Sequence, residues 1–187
     1  MRPTQTGGRT ILLPRDALVM LIGIAGSGKT TFARRHFAPD EVVSSDAMRA
    51  LVAGDPNDQA ATDDAFELLH KVVEKRLRRG RLTVVDATNV ESWARQQLLD
   101  VAWRARRPAV AIVLDPGLGI ALERNAQRTD GRRPPATVRR QQRWLEQGLP
   151  DLANEGFSAV EHLRDPVLDV HVERARENPE GTLRPPR

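Results

Sequence analysis

The stretch Ala17-Leu18-Val19-Met20-Leu21-Ile22-Gly23-Ile24-Ala25-Gly26-Ser27-Gly28-Lys29-Thr30-Thr31 decides how the chain is read. Ala17–Gly23 is an unbroken apolar run after Asp16, the pattern of a strand buried on both faces in a parallel sheet. The glycines that follow fit G-x-x-x-x-G-K-[ST], and Lys29 to Phe37 has helical composition. Strand, glycine loop and helix in this order let main-chain N–H groups turn inward around phosphate oxygens, with the positive end of the helix behind them. Lys29 is suited to neutralise β- and γ-phosphate oxygens, and the Thr30 hydroxyl to ligate Mg²⁺. Gly23, Gly26, Ser27, Gly28 and Thr31 complete the expected nucleotide-binding loop. A chance glycine-rich turn would need neither the strand before it nor the helix after it.

Strand and helix patterns alternate outward from this point. Glu41–Ser45, Arg81–Ala87, Ala109–Asp115 and, more weakly, Ser158–Leu163 read as strands. Ala60–Arg79, Glu91–Arg106, Leu118–Gln127, Ala136–Gln147 and Pro166–Ala175 read as helices. The alternation predicts one α/β domain with a parallel sheet flanked by helices, its body spanning residues 16–176. Residues 1–15 and 177–187 are polar and rich in Pro and Gly, so both are expected to be frayed or to act as linkers.

Composition narrows the function classes. The 187 residues suffice for one self-supporting core. With no cysteine there are no disulfides, thiolate metal sites or cysteine nucleophiles. Four histidines without a close pair offer no ligand spacing for zinc, and no zinc site is expected. No run approaches the roughly 20 apolar residues of a membrane span, and the N-terminus has no apolar signal core, so a cytoplasmic protein is expected. Lys29, Lys71 and Lys75 are the only lysines among 29 basic residues, which leaves 26 arginines, a skew that coding bias explains. The formal charge of +4 is unevenly spread. Ten arginines between Arg104 and Arg143 face only Asp115, Glu123 and Asp130, a local net of +7. Such a stretch is either a polyanion site or a set of solvated helix faces.

Three further groups carry chemistry. Asp46, at the end of the second strand in Ser44-Ser45-Asp46, is placed to face a γ-phosphate. It can act as general base on an attacking hydroxyl, hold the waters of Mg²⁺, or cap the following helix. Arg49, one turn on, either binds an acceptor phosphate or pairs with Asp46. Asp86 closes the apolar strand Thr83-Val84-Val85-Asp86, as a carboxylate supporting Mg²⁺ does. Thr88 and Asn89 come next, at the crevice, where they can touch an acceptor or serve only in a turn and helix cap. Finally, Arg124 and Arg128 share one helix face ahead of a Gly/Pro-rich break. Either they form a lid over the transferring group, spanning about residues 124–140, or they are an exposed basic helix end.

The set comprising the glycine loop, Ser-Ser-Asp with Arg49, Asn57-Asp58-Gln59, Leu82–Val90 (LTVVDATNV) and Glu123–Asp130 (ERNAQRTD) resembles the kinase domain of bacterial polynucleotide kinase/phosphatase enzymes, over roughly Ala17 to Ala175. The resemblance implies the P-loop phosphotransferase fold with a four- or five-stranded parallel sheet. It also implies transfer of the γ-phosphoryl of ATP to 5′-OH ends of DNA or RNA in nucleic-acid repair. Lys29 and Thr30 would then sit at the triphosphate and Mg²⁺, Asp46 would be the base, and Arg49 and Gln59 would line the acceptor groove. Arg124 and Arg128 would act as lid arginines on the donor. Relatives carry a basic residue after the RTD of this motif, where this chain has Gly131 followed by Arg132 and Arg133. They also carry phosphatase and ligase modules, expected here in the same or another chain, so the sequence reads as a free-standing kinase or an excised domain. A P-loop kinase of a small hydroxylated metabolite or antibiotic shares the donor machinery and differs at the acceptor. A non-catalytic nucleotide switch would leave Asp46 and the lid arginines without a role. With three tryptophans, four phenylalanines and no tyrosine, recognition through phosphates is expected to outweigh base reading.

Overall fold

The computed structural model describes residues 9–129, 131–164 and 170–175. Its centre is the strand β2 (Leu18–Ile22), every residue of which is buried. Around it lie β3 (Val42–Ser44), β4 (Thr83–Asp86), β5 (Ala109–Leu114) and β6 (Ala159–Leu163) in the order β3-β4-β2-β5-β6, all parallel. The apolar runs were continuous because helices cover both faces of the sheet. Leu18, Met20 and Ile22 pack with Leu69, Val73 and Leu77 of α3 (Thr62–Arg78), Leu98 and Leu99 of α4 (Ser92–Arg104) and Val138 of α6 (Pro135–Gly148). Val19 and Leu21 point the other way, to Phe32 and Ala33 of α1 (Lys29–His36). Two shorter helices, α2 (Ser45–Ala53) and α5 (Leu118–Ala126), stand at the carboxyl edge of the sheet. No helix among the described residues is long and apolar enough to cross a membrane.

Two expectations fail at the ends. Residues 9–13, expected to fray, form the strand β1 (Arg9–Leu13), with Ile11 and Leu13 buried against the α1 face of the sheet. The helix expected over Pro166–Ala175 is replaced at Val170–Arg174 by a strand, β7, paired in parallel with β1. Val170, Val172 and Arg174 alternate with the exposed His171 and Glu173, a period of two carried by β-branched residues that favours strand once a partner is present. Arg15 and Arg174 secure this ribbon, through the Ala175 carbonyl at 2.8 Å and through Glu41 at 2.9 Å. Residues 165–169 and 177–187 lie outside the described residues.

Candidate active site

The carboxyl ends of the strands open on a cleft of about 1030 Å³. Parallel register sets its floor, because Leu21, Asp86 and Ser44 lie in one row and the residues after each emerge at the same edge.

The donor side is made of main chain packed tightly around one ammonium. At Gly26, φ is +83° and a Cβ would stand 2.1 Å from the Ala121 carbonyl oxygen of α5, so only glycine lets the loop approach that helix. Lys29 donates from Nζ to the carbonyls of Gly23 at 2.8 Å and Ile24 at 2.9 Å. Burial pushes its pKa from the ordinary 10.5 down to about 8, against the pull of Asp86 and Asp46 and with Arg128 adding to the fall. The Thr30 hydroxyl donates to Asp86 Oδ2 at 2.8 Å, which joins the two residues expected at the metal. One hydroxyl and one carboxylate, both hard oxygen donors, are a set that fits a Mg²⁺ keeping several of its waters.

The opposite side of the cleft is made of side chains on helix starts and loops. Ser44, not Asp46, caps α2, accepting from Ala47 N at 3.5 Å. Asp46 therefore sits in the first turn with its carboxylate in the cleft. Arg49, itself buried, donates to Asp46 Oδ1 at 2.5 Å, and Arg133 lies 3.8 Å from the same oxygen. The other carboxylate oxygen, Oδ2, has no partner among the described residues. Gln59 stands on the loop before α3, its Nε2 donating to the Asn57 carbonyl at 3.0 Å, and it too lines the cleft. Thr88 faces the cleft while its carbonyl accepts from Gly23 N at 3.0 Å. Asn89, expected with Thr88 at the acceptor, also lines the cleft, but its side-chain amide is tied down. Its residue has φ +49°, it is 3% exposed, and its amide donates to the Leu21 carbonyl at 2.8 Å, tying the loop after β4 to the end of β2.

Arg124 and Arg128 both reach the cleft, and Arg133, further along the chain, is anchored by a residue whose role the sequence did not reveal. Asn125, 1% exposed, donates from Nδ2 to the Arg133 carbonyl at 2.8 Å and accepts from Arg133 N at 3.0 Å. This two-bond clamp brings Arg133, rather than the exposed Arg132, to Asp46. Gly131, at φ +57°, leaves room that the Arg128 guanidinium and Asn57 Oδ1 occupy, 2.9 and 3.1 Å from where a Cβ would stand. Of the ten arginines in the positive stretch, Arg124, Arg128, Arg133 and Arg140 line the cleft, whereas Arg107 is spent on Asp16 and on the Leu77 carbonyl at 3.1 Å. A second missed residue is Arg95, 1% exposed, which pairs with the buried Glu155 and donates from Nη1 to the Asn89 and Val90 carbonyls at 2.9 Å each. It fixes the wall on which Thr88 stands. The cleft is also more aromatic than the composition suggested. Phe66, Trp93 and Trp144 line it, and Trp93 is 60% exposed.

A family profile described as an AAA domain matches residues 18–147, from the start of β2 to the penultimate residue of α6. The chain belongs to this AAA domain family. No curated protein sequence matches it. Among solved structures, the AAA domain is similar to Chaetomium thermophilum Kti12 in complex with ADP-AlF3, with 23% identity over 78% of this chain and 88% of that one and a TM-score of 0.59. It is also similar to a chain of the Pnkp1/Rnl/Hen1 RNA repair complex, with 21% identity over 79% of this chain and 48% of that one and a TM-score of 0.62. The AAA domain thus spans about half the length of that second chain. At these identities the likeness establishes a P-loop kinase-like fold, with the five-stranded parallel sheet that fold requires.

Proposed function

We propose that this AAA domain is an ATP-dependent polynucleotide 5′-hydroxyl kinase acting on DNA or RNA ends in nucleic-acid repair. The observation that carries the reading is Asp46. A carboxylate with one oxygen bound by Arg49, and the other without a partner among the described residues, shares a cleft with the Lys29–Thr30–Asp86 group. In the reaction, Asp46 Oδ2 takes the proton of the 5′-hydroxyl, whose oxygen bonds to the γ-phosphorus as the bond to the leaving ADP oxygen breaks. Lys29, Arg124 and Arg128 meet the charge on the phosphoryl oxygens. Thr30 and Asp86 would hold the Mg²⁺, which supplies charge neutralisation at the β- and γ-phosphates when bound. Arg49 and Arg133 lie where the phosphodiester next to a 5′-hydroxyl would need a cation, and Trp93 and Phe66 offer ring faces to its base. The likeness to a chain of an RNA repair complex supports this choice of acceptor.

A second reading, kinase action on a small hydroxylated compound, is favoured by Asp63, Glu67 and Glu91. All three line the α3–α4 wall of the cleft and would repel strand phosphates running past them. Labelled ATP, Mg²⁺ and 5′-OH oligonucleotides of DNA and RNA separate the two. Transfer to an oligonucleotide with a KM that climbs as salt is raised is the expected result. No transfer to either end, with transfer to a sugar alcohol that is indifferent to salt, would install the second reading in its place.

A further inference from the structure

α6 presents two faces. Val138, Gln142 and Leu145 are buried in the core, and Gln142 donates from Nε2 to Glu146 at 2.9 Å. Thr137, Arg140, Gln141 and Trp144, at helical spacing, line the cleft. Of these four, Gln141 touches the glycine loop itself. Its Oε1 accepts from Ala25 N at 2.9 Å. That N–H belongs to the same peptide group whose oxygen, the Ile24 carbonyl, accepts from Lys29 Nζ at 2.9 Å. One peptide plane is thus held at its oxygen by the lysine and at its nitrogen by the glutamine. Standard peptide dimensions then put the carboxamide within about 8 Å of the ammonium that serves the β- and γ-phosphates. Because Oε1 is committed as an acceptor, Nε2 is left as a neutral two-proton donor with no partner among the described residues, on a side chain that lines the cleft.

We infer that Gln141 is a γ-phosphate ligand: its Oε1 holds the Ile24–Ala25 peptide and its Nε2 donates to an oxygen of the terminal phosphoryl group, so that the donor site distinguishes a triphosphate from a diphosphate. The inference rests on the donor half of the proposed function and is independent of which acceptor is used. It gives α6 a task that the arginine lid does not perform. The arginines meet any phosphate through charge, whereas a neutral amide in a fixed position reads whether the last phosphate is present.

The test is direct binding of the non-hydrolysable triphosphate AMPPNP and of ADP, each with Mg²⁺, to the full chain by calorimetry, with no acceptor in the cell. Gln141→Leu removes donor and acceptor. Gln141→Glu keeps the acceptor for Ala25 N–H and removes the donor. In both variants AMPPNP affinity is expected to fall about tenfold or more while ADP affinity stays within about twofold. A Leu variant that keeps the wild-type ratio of AMPPNP to ADP affinity overturns the inference. So does a Leu variant in which both affinities fall equally while the Glu variant binds as wild type, because Gln141 would then only brace the loop. A wild-type chain that binds neither nucleotide removes the donor site, and with it this inference. Binding of both without transfer to any 5′-OH end removes only the acceptor assignment. Unchanged melting temperatures of the two variants establish that the folded protein is being measured.

Discussion

Lys29 and Asp46 line one cleft, yet the two halves they serve are built differently. Around Lys29 the partners are main-chain carbonyls and strand ends: Gly23 and Ile24 oxygens, the close approach of Gly26 to α5, and Asp86 at the end of a fully buried strand. Around Asp46 they are side chains brought from separate elements. Arg49 comes from the same helix, Arg133 from a turn held by Asn125, and Gln59 from the loop between α2 and α3. A half made of main chain is rigid before any ligand arrives. A half made of long side chains on loops can be remodelled, so under the proposed function donor chemistry would be set by the fold and acceptor choice by a few residues on it.

That contrast can be broken from the donor side with the largest effect. Gly26→Ala places a methyl 2.1 Å from a backbone oxygen at a φ of +83°, so the loop and α5 must part. Loss of nucleotide binding by at least about a hundredfold is expected in calorimetry, with a melting temperature several degrees lower. Lys29→Met leaves the loop carbonyls without their donor and the phosphates without their ammonium. Phosphoryl transfer is expected to fall about 10²- to 10³-fold in single-turnover kinetics.

The Asn125–Arg133 contact provides a smaller and more local break. Asn125→Ala removes both bonds to Arg133 and leaves its half-buried carbonyl and N–H without these partners. A drop in kcat of about tenfold is expected, with ADP affinity nearly unchanged and stability lower by about 1–3 kcal/mol in denaturant titration. If ADP binding fell as much as turnover, the clamp would belong to the donor half, and the division drawn here would be misplaced.

The smallest effect is set by pH. The Lys29 ammonium is lowered to about 8 by burial, so in the nucleotide-free protein it loses its proton as pH passes 8. A bound triphosphate favours the charged form. ATP binding is therefore expected to weaken by up to about tenfold per unit above pH 8 and to take up a proton there, which calorimetry in two buffers of different ionisation enthalpy measures. The unfolded chain, with its lysine near 10.5, binds more protons between pH 8 and 10.5, so this group's cost to stability is complete below pH 8 and is relieved as pH rises through that window. Lys29→Met should abolish the proton uptake.

The same contrast explains what could be read from the sequence. The β2 strand, the glycine loop and Asp86 were legible because each is written in consecutive residues whose pattern has few alternatives. The strand β7 was not, since Val170-His171-Val172-Glu173-Arg174 is too short to show its period and its partner, Arg9–Leu13, lies far away in sequence. Two arginines followed Gly131, and nothing local said which one would reach Asp46. Tertiary structure chose Arg133 through Asn125. Asn89 was placed at the crevice, which it lines, but nothing local showed that at a φ of +49° its amide would tie the loop to the Leu21 carbonyl. Gln141 gave one weak signal, its spacing with Thr137, Arg140 and Trp144 on the helix face opposite the core positions.

The division of labour between the halves is tested most directly by Asp46→Asn, measured for single-turnover transfer from ATP to a 5′-OH oligonucleotide and for ATP affinity on the same preparation. The carboxamide keeps the shape and an oxygen for Arg49 but cannot take the proton. Transfer reduced by about 10²- to 10⁴-fold, with ATP affinity within about twofold of wild type, is the predicted result. Near wild-type transfer, or a loss of ATP binding as large as the loss of turnover, would contradict it.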